Sequence, residues 1–172
     1  LGRNEASGEV TVPASRLAGR NLGVFGDSGT GQSWMGGLIA EGLHHEEYQV
    51  LLIDPEGDFG VLRALPRFVV LEGDRSSLPI PSAVVSLLDA GGVSVVLDLS
   101  RYPVALRSGY ITDLVRALRP LRERKYRPHW NVLYEAQQFL FPGGTELTAA
   151  VVTLLEGGGW TFISYRPDRL DP

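Results

Sequence analysis

The sequence predicts an α/β domain, a mostly parallel central sheet with helices on both faces, and three observations point there. Short apolar runs at 21–25, 48–53, 68–71, 93–99, 130–133 and 160–164 are separated by stretches of helical spacing or turn composition. Two of these runs, Tyr48 to Ile53 and Val93 to Leu99, are apolar nearly throughout, as in strands covered on both sides. The first run feeds Gly26-Asp27-Ser28-Gly29-Thr30-Gly31-Gln32-Ser33, after which a helix is predicted from Ser33 to about Leu43. Strand, glycine-rich loop and helix in that order make a phosphate-binding loop, and with it the three-layer P-loop NTPase fold.

The loop pattern is G-x-x-x-x-G-K-[ST]. Gly26, Gly31 and Ser33 match it, while Gln32 stands where lysine is expected. Glycines let the backbone turn tightly and approach phosphate oxygens, and successive N–H groups then converge on one concavity. The following helix adds its positive dipole end. Contacts to ATP or ADP are therefore expected from Gly26 through Ser33 and from Trp34, which begins the helix body. Ser33 is the expected Mg²⁺ ligand. A lysine would supply a point charge to the β- and γ-phosphates, whereas Gln32 can donate a hydrogen bond but brings no charge. Weaker triphosphate binding and much weaker hydrolysis follow; the fold is indifferent to the exchange.

At 172 residues the chain suits one domain with a substantial core. Residues 1–20 read as a polar lead-in with one short alternating piece, Glu9 to Val12, suited to an edge strand. Residues 21–172 read as the nucleotide-binding domain, cut from a longer protein. No apolar run approaches the ~20 residues of a membrane-spanning helix, and no signal-peptide pattern opens the chain. With no cysteine, disulfides and thiolate metal sites are excluded, which fits a cytoplasmic location. The formal net charge of −4 argues against a general electrostatic grip on nucleic acid. Lys125 is the only lysine and lies far along the chain from the loop.

The remaining elements follow in order. Glycines 36, 37 and 42 make the first helix intrinsically weak, so it must rely on packing. His44 and His45 sit at its C-terminal end, where they suit the helix dipole better than a metal, lacking i, i+4 spacing. The strand at 48–53 ends in Asp54-Pro55-Glu56-Gly57-Asp58-Phe59, three carboxylates that are either ligand groups at a strand's carboxyl end or a solvated turn. Phe68 to Leu71 is a short strand, Ser82 to Asp89 a helix closed by Gly91-Gly92, and Val93 to Leu99 a central strand whose Asp98 is a candidate magnesium acid. Val104 to Lys125 is a long helix with Leu106, Tyr110, Leu114, Leu118 and Leu121 at core spacing and Pro120 set to kink or divide it. Its basic end, Arg116 to Arg127, is a solvated face or a contact for phosphates or a partner. Trp130 to Leu133 runs into Tyr134-Glu135, where a P-loop ATPase carries Asp-Glu. Glu135 is thus placed to polarise water, and a neutral phenol takes the Asp position. Pro142-Gly143-Gly144 makes a loop, Thr145 to Glu156 a helix capped by Thr145, and Trp160 to Ser164 the last strand.

Together the segments Gly26 to Ser33, Asp54 to Asp58, Tyr134-Glu135-Ala136 and Ser164-Tyr165-Arg166-Pro167 resemble, in order and spacing, the HerA/FtsK-type motor ATPases over about residues 20–170. The resemblance implies Glu135 as catalytic base, Ser33 as Mg²⁺ ligand and Ser164 as γ-phosphate sensor. It also implies a homo-oligomeric ring acting on DNA. Gln32 for Lys, Tyr134 for Asp and Tyr165 for Gln depart from the family pattern. Three readings follow: a nucleotide-binding module with impaired or absent hydrolysis, a slow ATPase motor acting on DNA or a protein, and a structural domain with an empty loop.

Overall fold

The computed structural model describes residues 2–3, 8–143 and 145–170. Part of the lead-in (1 and 4–7), Gly144 of the predicted loop and the last two residues lie outside the described residues. In the lead-in, β1 (Gly2–Arg3) and β2 (Glu9–Val10) form a separate antiparallel pair. The predicted edge strand is therefore shortened to two residues and does not join the main sheet. The rest alternates strand and helix: β3 (Asn21–Phe25), α1 (Gln32–His45), β4 (Val50–Asp54), β5 (Phe68–Glu72), α2 (Pro81–Ala90), β6 (Ser94–Asp98), α3 (Val104–Lys125), β7 (Trp130–Leu133), α4 (Glu146–Leu155) and β8 (Trp160–Ser164).

Strands β3 to β8 build one sheet in the order β3-β8-β7-β4-β6-β5, with every pairing parallel. The apolar runs explain this, because all five residues of β4 and of β6 are buried. Alternate residues of β4 serve opposite faces. Leu51 and Ile53 pack with α2, α3 and α4, while Val50 and Leu52 pack with α1. Burying each of these four side chains contributes on the order of 1.5–3 kcal/mol, so both helical layers are held mainly by the sheet's own residues.

Helix α1 shows why a glycine-rich segment is helical here. A Cβ on Gly36 would stand 2.4 Å from Ile163 Cδ1, so glycine lets α1 lie close on β8. The helix begins one residue before Ser33 and continues to His45. β6 is interior, between β4 and β5. Pro120 does not divide α3, which runs unbroken from Val104 to Lys125. Leu106 is 38 % exposed rather than core, whereas Tyr110, Leu114, Leu118 and Leu121 are buried as their spacing predicts. Thr145 caps α4, its hydroxyl accepting from the Thr148 N–H at 3.0 Å.

The basic end of α3 is largely answered within the chain. Arg116 pairs with Glu146, Arg119 with Glu123, and Arg124 and Lys125 with Asp89. Arg122 donates to the carbonyls of Pro128 and Gly158. No helix among the described residues is long and apolar enough to cross a membrane.

Candidate functional site: the phosphate-binding loop and the carboxyl ends of the strands

Between β3 and α1 the chain turns on Gly29 at φ 83° and Gly31 at φ 93°, left-handed values that favour glycine. The Thr30 N–H and hydroxyl both donate to the Asp27 carbonyl, at 3.1 and 2.7 Å, and tighten the turn. The first helical bond of α1 runs from the Met35 N–H to the Gly31 carbonyl at 2.9 Å. The N–H groups of Gln32, Ser33 and Trp34 thus have no acceptor within the helix, the usual source of an anion-binding helix end.

The Gln32 amide is engaged within the protein. Its Nε2 donates to the carbonyls of Gly26 and Ser164, both at 2.8 Å, tying the start of the loop to the end of β8. Ser164 is fully buried, and its hydroxyl accepts the Arg166 N–H at 3.0 Å. Tyr165, the next residue, lines a cleft of about 380 Å³ with Ser28, Gln32, Ser33, Tyr134 and Glu135. Trp34 is 74 % exposed and borders an adjacent, more apolar groove with Phe59 and Val61, so its part in the loop is its backbone N–H.

Tyr134 extends β7 into this cleft. Its ring stands edge-on to Phe59 at 5.1 Å, and its hydroxyl donates to Asp58 Oδ2 at 2.9 Å. Burial, then the neighbouring Asp58, pushes the phenol far above its ordinary range, so it stays neutral. Glu135 follows with a left-handed φ of 54° and accepts from Gln137 Nε2. Burial raises its pKa against the bonds from Gln137 and Gln138, with Glu56 and Asp58 adding repulsion.

The three carboxylates at and just beyond the end of β4 divide their work. Asp54 is fully buried and accepts the N–H groups of Glu56, Gly57 and Phe59 at 3.0, 2.8 and 3.0 Å, which makes it the organiser of the turn. Burial raises its pKa despite these bonds. Glu56 lines the cleft instead, accepting from Gln138 Nε2 at 2.8 Å, while Asp58 borders the adjacent groove and meets the cleft through Tyr134. Asp98 accepts from the Ser100 N–H at 2.8 Å and is absent from the cleft lining. Sequence reasoning missed Arg107, which is buried and donates to the carbonyls of Pro55, Ser100 and Tyr102, bracing the turn below the site. Nothing in its spacing marks it out from the other arginines of α3.

Ser33, the expected Mg²⁺ ligand, lines the cleft. Among the described residues no group of three or more His, Cys, Asp or Glu side chains could hold a metal ion by itself. The histidine pair is structural: His44 bonds Ser94 Oγ and the Pro66 carbonyl, and His45 lies 3.6 Å from Glu41.

Over residues 1–150 the sequence matches the family described as "Helicase HerA, central domain". The chain belongs to that family. Among solved structures, this HerA-type domain is similar to the genome packaging NTPase B204 from Sulfolobus turreted icosahedral virus 2, solved in complex with ATP-gammaS. The two share 16% identity and a TM-score of 0.55, over 89% of this chain and 68% of the viral one. A second similarity is to the signal recognition particle receptor FtsY from Elizabethkingia anophelis in complex with GDP, at 14% identity and TM-score 0.34, over 93% and 59% of the two chains. No curated protein matches the chain. The HerA-type assignment and the all-parallel sheet agree with the P-loop NTPase fold read from the four segments.

Proposed function

We propose that this HerA-type domain binds ATP or ADP through the backbone of Gly26 to Trp34 and hydrolyses ATP slowly or not at all. One observation carries the reading: both hydrogen bonds from the Gln32 amide go to protein carbonyls, Gly26 and Ser164, and among the described residues no cationic side chain lines the cleft. The helix-end N–H groups still offer an anion site. They supply binding without the charge that a transferring phosphoryl group calls for. Tyr134 adds a second shortfall, since a neutral phenol donating to Asp58 is a poor partner for a hydrated metal.

A working, slow ATPase is the second reading, and Glu135 favours it. The carboxylate lies in the cleft with its proton affinity raised, as a general base requires. Family resemblance adds a homo-oligomer, through which a neighbouring subunit's cation would reach the cleft.

Calorimetric titration of ATP and of ADP, each with and without Mg²⁺, tests the first reading. Binding with little gain from Mg²⁺ and phosphate release at background are expected. Steady multiple-turnover phosphate release that Glu135→Gln abolishes establishes the second reading instead. No binding of either nucleotide leaves the loop a structural relic.

A further inference from the structure

At the opposite end of the sheet, the starts of four strands enclose a polar cavity of about 210 Å³. Tyr48 and Gln49 lead into β4, Arg67 into β5, Val93 into β6 and His129 into β7. Parallel sheets place ligands at the carboxyl ends of their strands. This cavity is therefore separate from the phosphate-binding loop, and its polarity calls for its own account.

Two of its charges cancel, as Arg67 pairs with Glu47 at 3.1 Å. Arg127 is different, because no carboxylate among the described residues pairs with its guanidinium. It lies over the Gly91 turn, where a Cβ would stand 2.6 Å from its Nη1. Beside it, His129 Nδ1 accepts the Gln49 N–H at 2.8 Å. That bond fixes the neutral tautomer, so the proton sits on Nε2 and can be donated. Burial first, then the nearby Arg127 and Arg122, lower the His129 pKa and keep the ring neutral at physiological pH. Gln49, 7 % exposed, also lines the cavity. Its Nε2 donates to the Leu88 and Val93 carbonyls, while its Oε1 has no partner. Glu47 and Arg67, two of the few non-glycine residues with left-handed φ, border the same space at 64° and 62°. Such conformations collect at functional positions.

We propose that this cavity is a second ligand site, taking a small oxyanion (a phosphate or a carboxylate) on the Arg127 guanidinium and the His129 Nε2–H.

The test is an NMR titration of the intact chain near neutral pH, following the His129 ring with inorganic phosphate and, separately, succinate. Phosphate bound at the loop registers on the Gly29 and Gly31 amides, so the two sites are read independently and either can fail alone. A saturable His129 shift is expected by about 20 mM anion, the range of a weak single site. Arg127→Ala should weaken it at least about tenfold, as losing a charge-assisted bond predicts, and Arg127→Lys should retain part of it. The Trp130 indole N–H, bonded to Thr161 Oγ1 at 2.8 Å, confirms that each variant is folded. A larger response to succinate assigns the site to carboxylates within the same class. No saturable shift with either anion, or a shift unchanged in folded Arg127→Ala, overturns the proposal.

Discussion

Replacing Gln32 by lysine is the most direct perturbation of the loop, and the structure sets its size. The glutamine amide makes two bonds at 2.8 Å to carbonyls, neither of which is a ligand group. A lysine at the same place exchanges those neutral bonds for an ammonium that can reach the β- and γ-phosphates. One charge-assisted hydrogen bond is worth about 1.5–3 kcal/mol net. At 1.4 kcal/mol per decade, Gln32→Lys should tighten ATP binding roughly 10- to 100-fold. ADP lacks the γ-phosphate and should gain less, so the ATP-to-ADP ratio rises as well. Gln32→Ala is the control: it removes both bonds, costs about 2 kcal/mol, and should leave nucleotide affinity within a few-fold of the original chain. Calorimetry at fixed ionic strength measures all three proteins. Equal ATP affinity for Gln32→Lys and the original chain would refute the idea that charge at this position limits binding.

Two further predictions concern stability. Pro120 is exposed within α3 and gives the Arg116 carbonyl no N–H, so Pro120→Ala should stabilise by about 2 kcal/mol, after the gain in helix propensity is reduced by greater freedom of the unfolded chain. Thermal unfolding should then shift upward by about 4–8 °C for a domain of this size, and no shift would mean that the helix has already adapted around the ring. Asp74 is held at a pKa of about 2, below its ordinary 3.8, by the hydroxyl and N–H groups of Ser76 and Ser77. Between those two values the unfolded chain binds more protons than the native one, so stability falls as pH drops through the window. Asp74→Asn should flatten that part of the acid limb in denaturant titrations and leave the neutral region's slope unchanged.

Much of the fold was legible because its signals are local. The apolar runs at Trp130 to Leu133 and Trp160 to Ser164 coincide with β7 and β8, and the helix from Val104 to Lys125 coincides with α3. Tertiary packing moved other boundaries: the Asp54 carboxylate, buried to bond three N–H groups, draws β4 one residue beyond Ile53. The site was legible as a list of positions but not as a set of directions. Spacing places Gln32 in the loop and Tyr134 at the end of β7. It cannot show that Gln32 points at the Ser164 carbonyl, or that Tyr134 reaches Asp58 across 76 residues of chain. Arg107 and the cavity beneath the sheet were invisible for the same reason, since each depends on carbonyls and strand ends brought together by the crossovers.

The two replaced positions make most sense as a pair. Glu56, Asp58 and Glu135 all take bonds from neutral groups, namely Gln138, Tyr134 and Gln137. With no lysine at position 32, an aspartate at 134 would stand next to Asp58 and beside Glu56 and Glu135, in a cleft lined by no cation among the described residues. A tyrosine avoids that repulsion and donates to Asp58 instead. Tyr134→Asp alone should therefore destabilise the protein, by loss of the bond and of the Phe59 contact as well as by repulsion. Adding Gln32→Lys supplies a compensating cation, so the double variant should be more stable than the two single effects predict. Coupling of about 0.5–3 kcal/mol is the range for residues that share one network. The double variant is also the one in which Mg²⁺ should begin to tighten ATP binding, because lysine and aspartate then stand together at the loop. Denaturant unfolding of the four proteins in the cycle measures the coupling. Strict additivity would show that the glutamine and the tyrosine act independently, each on its own side of the cleft.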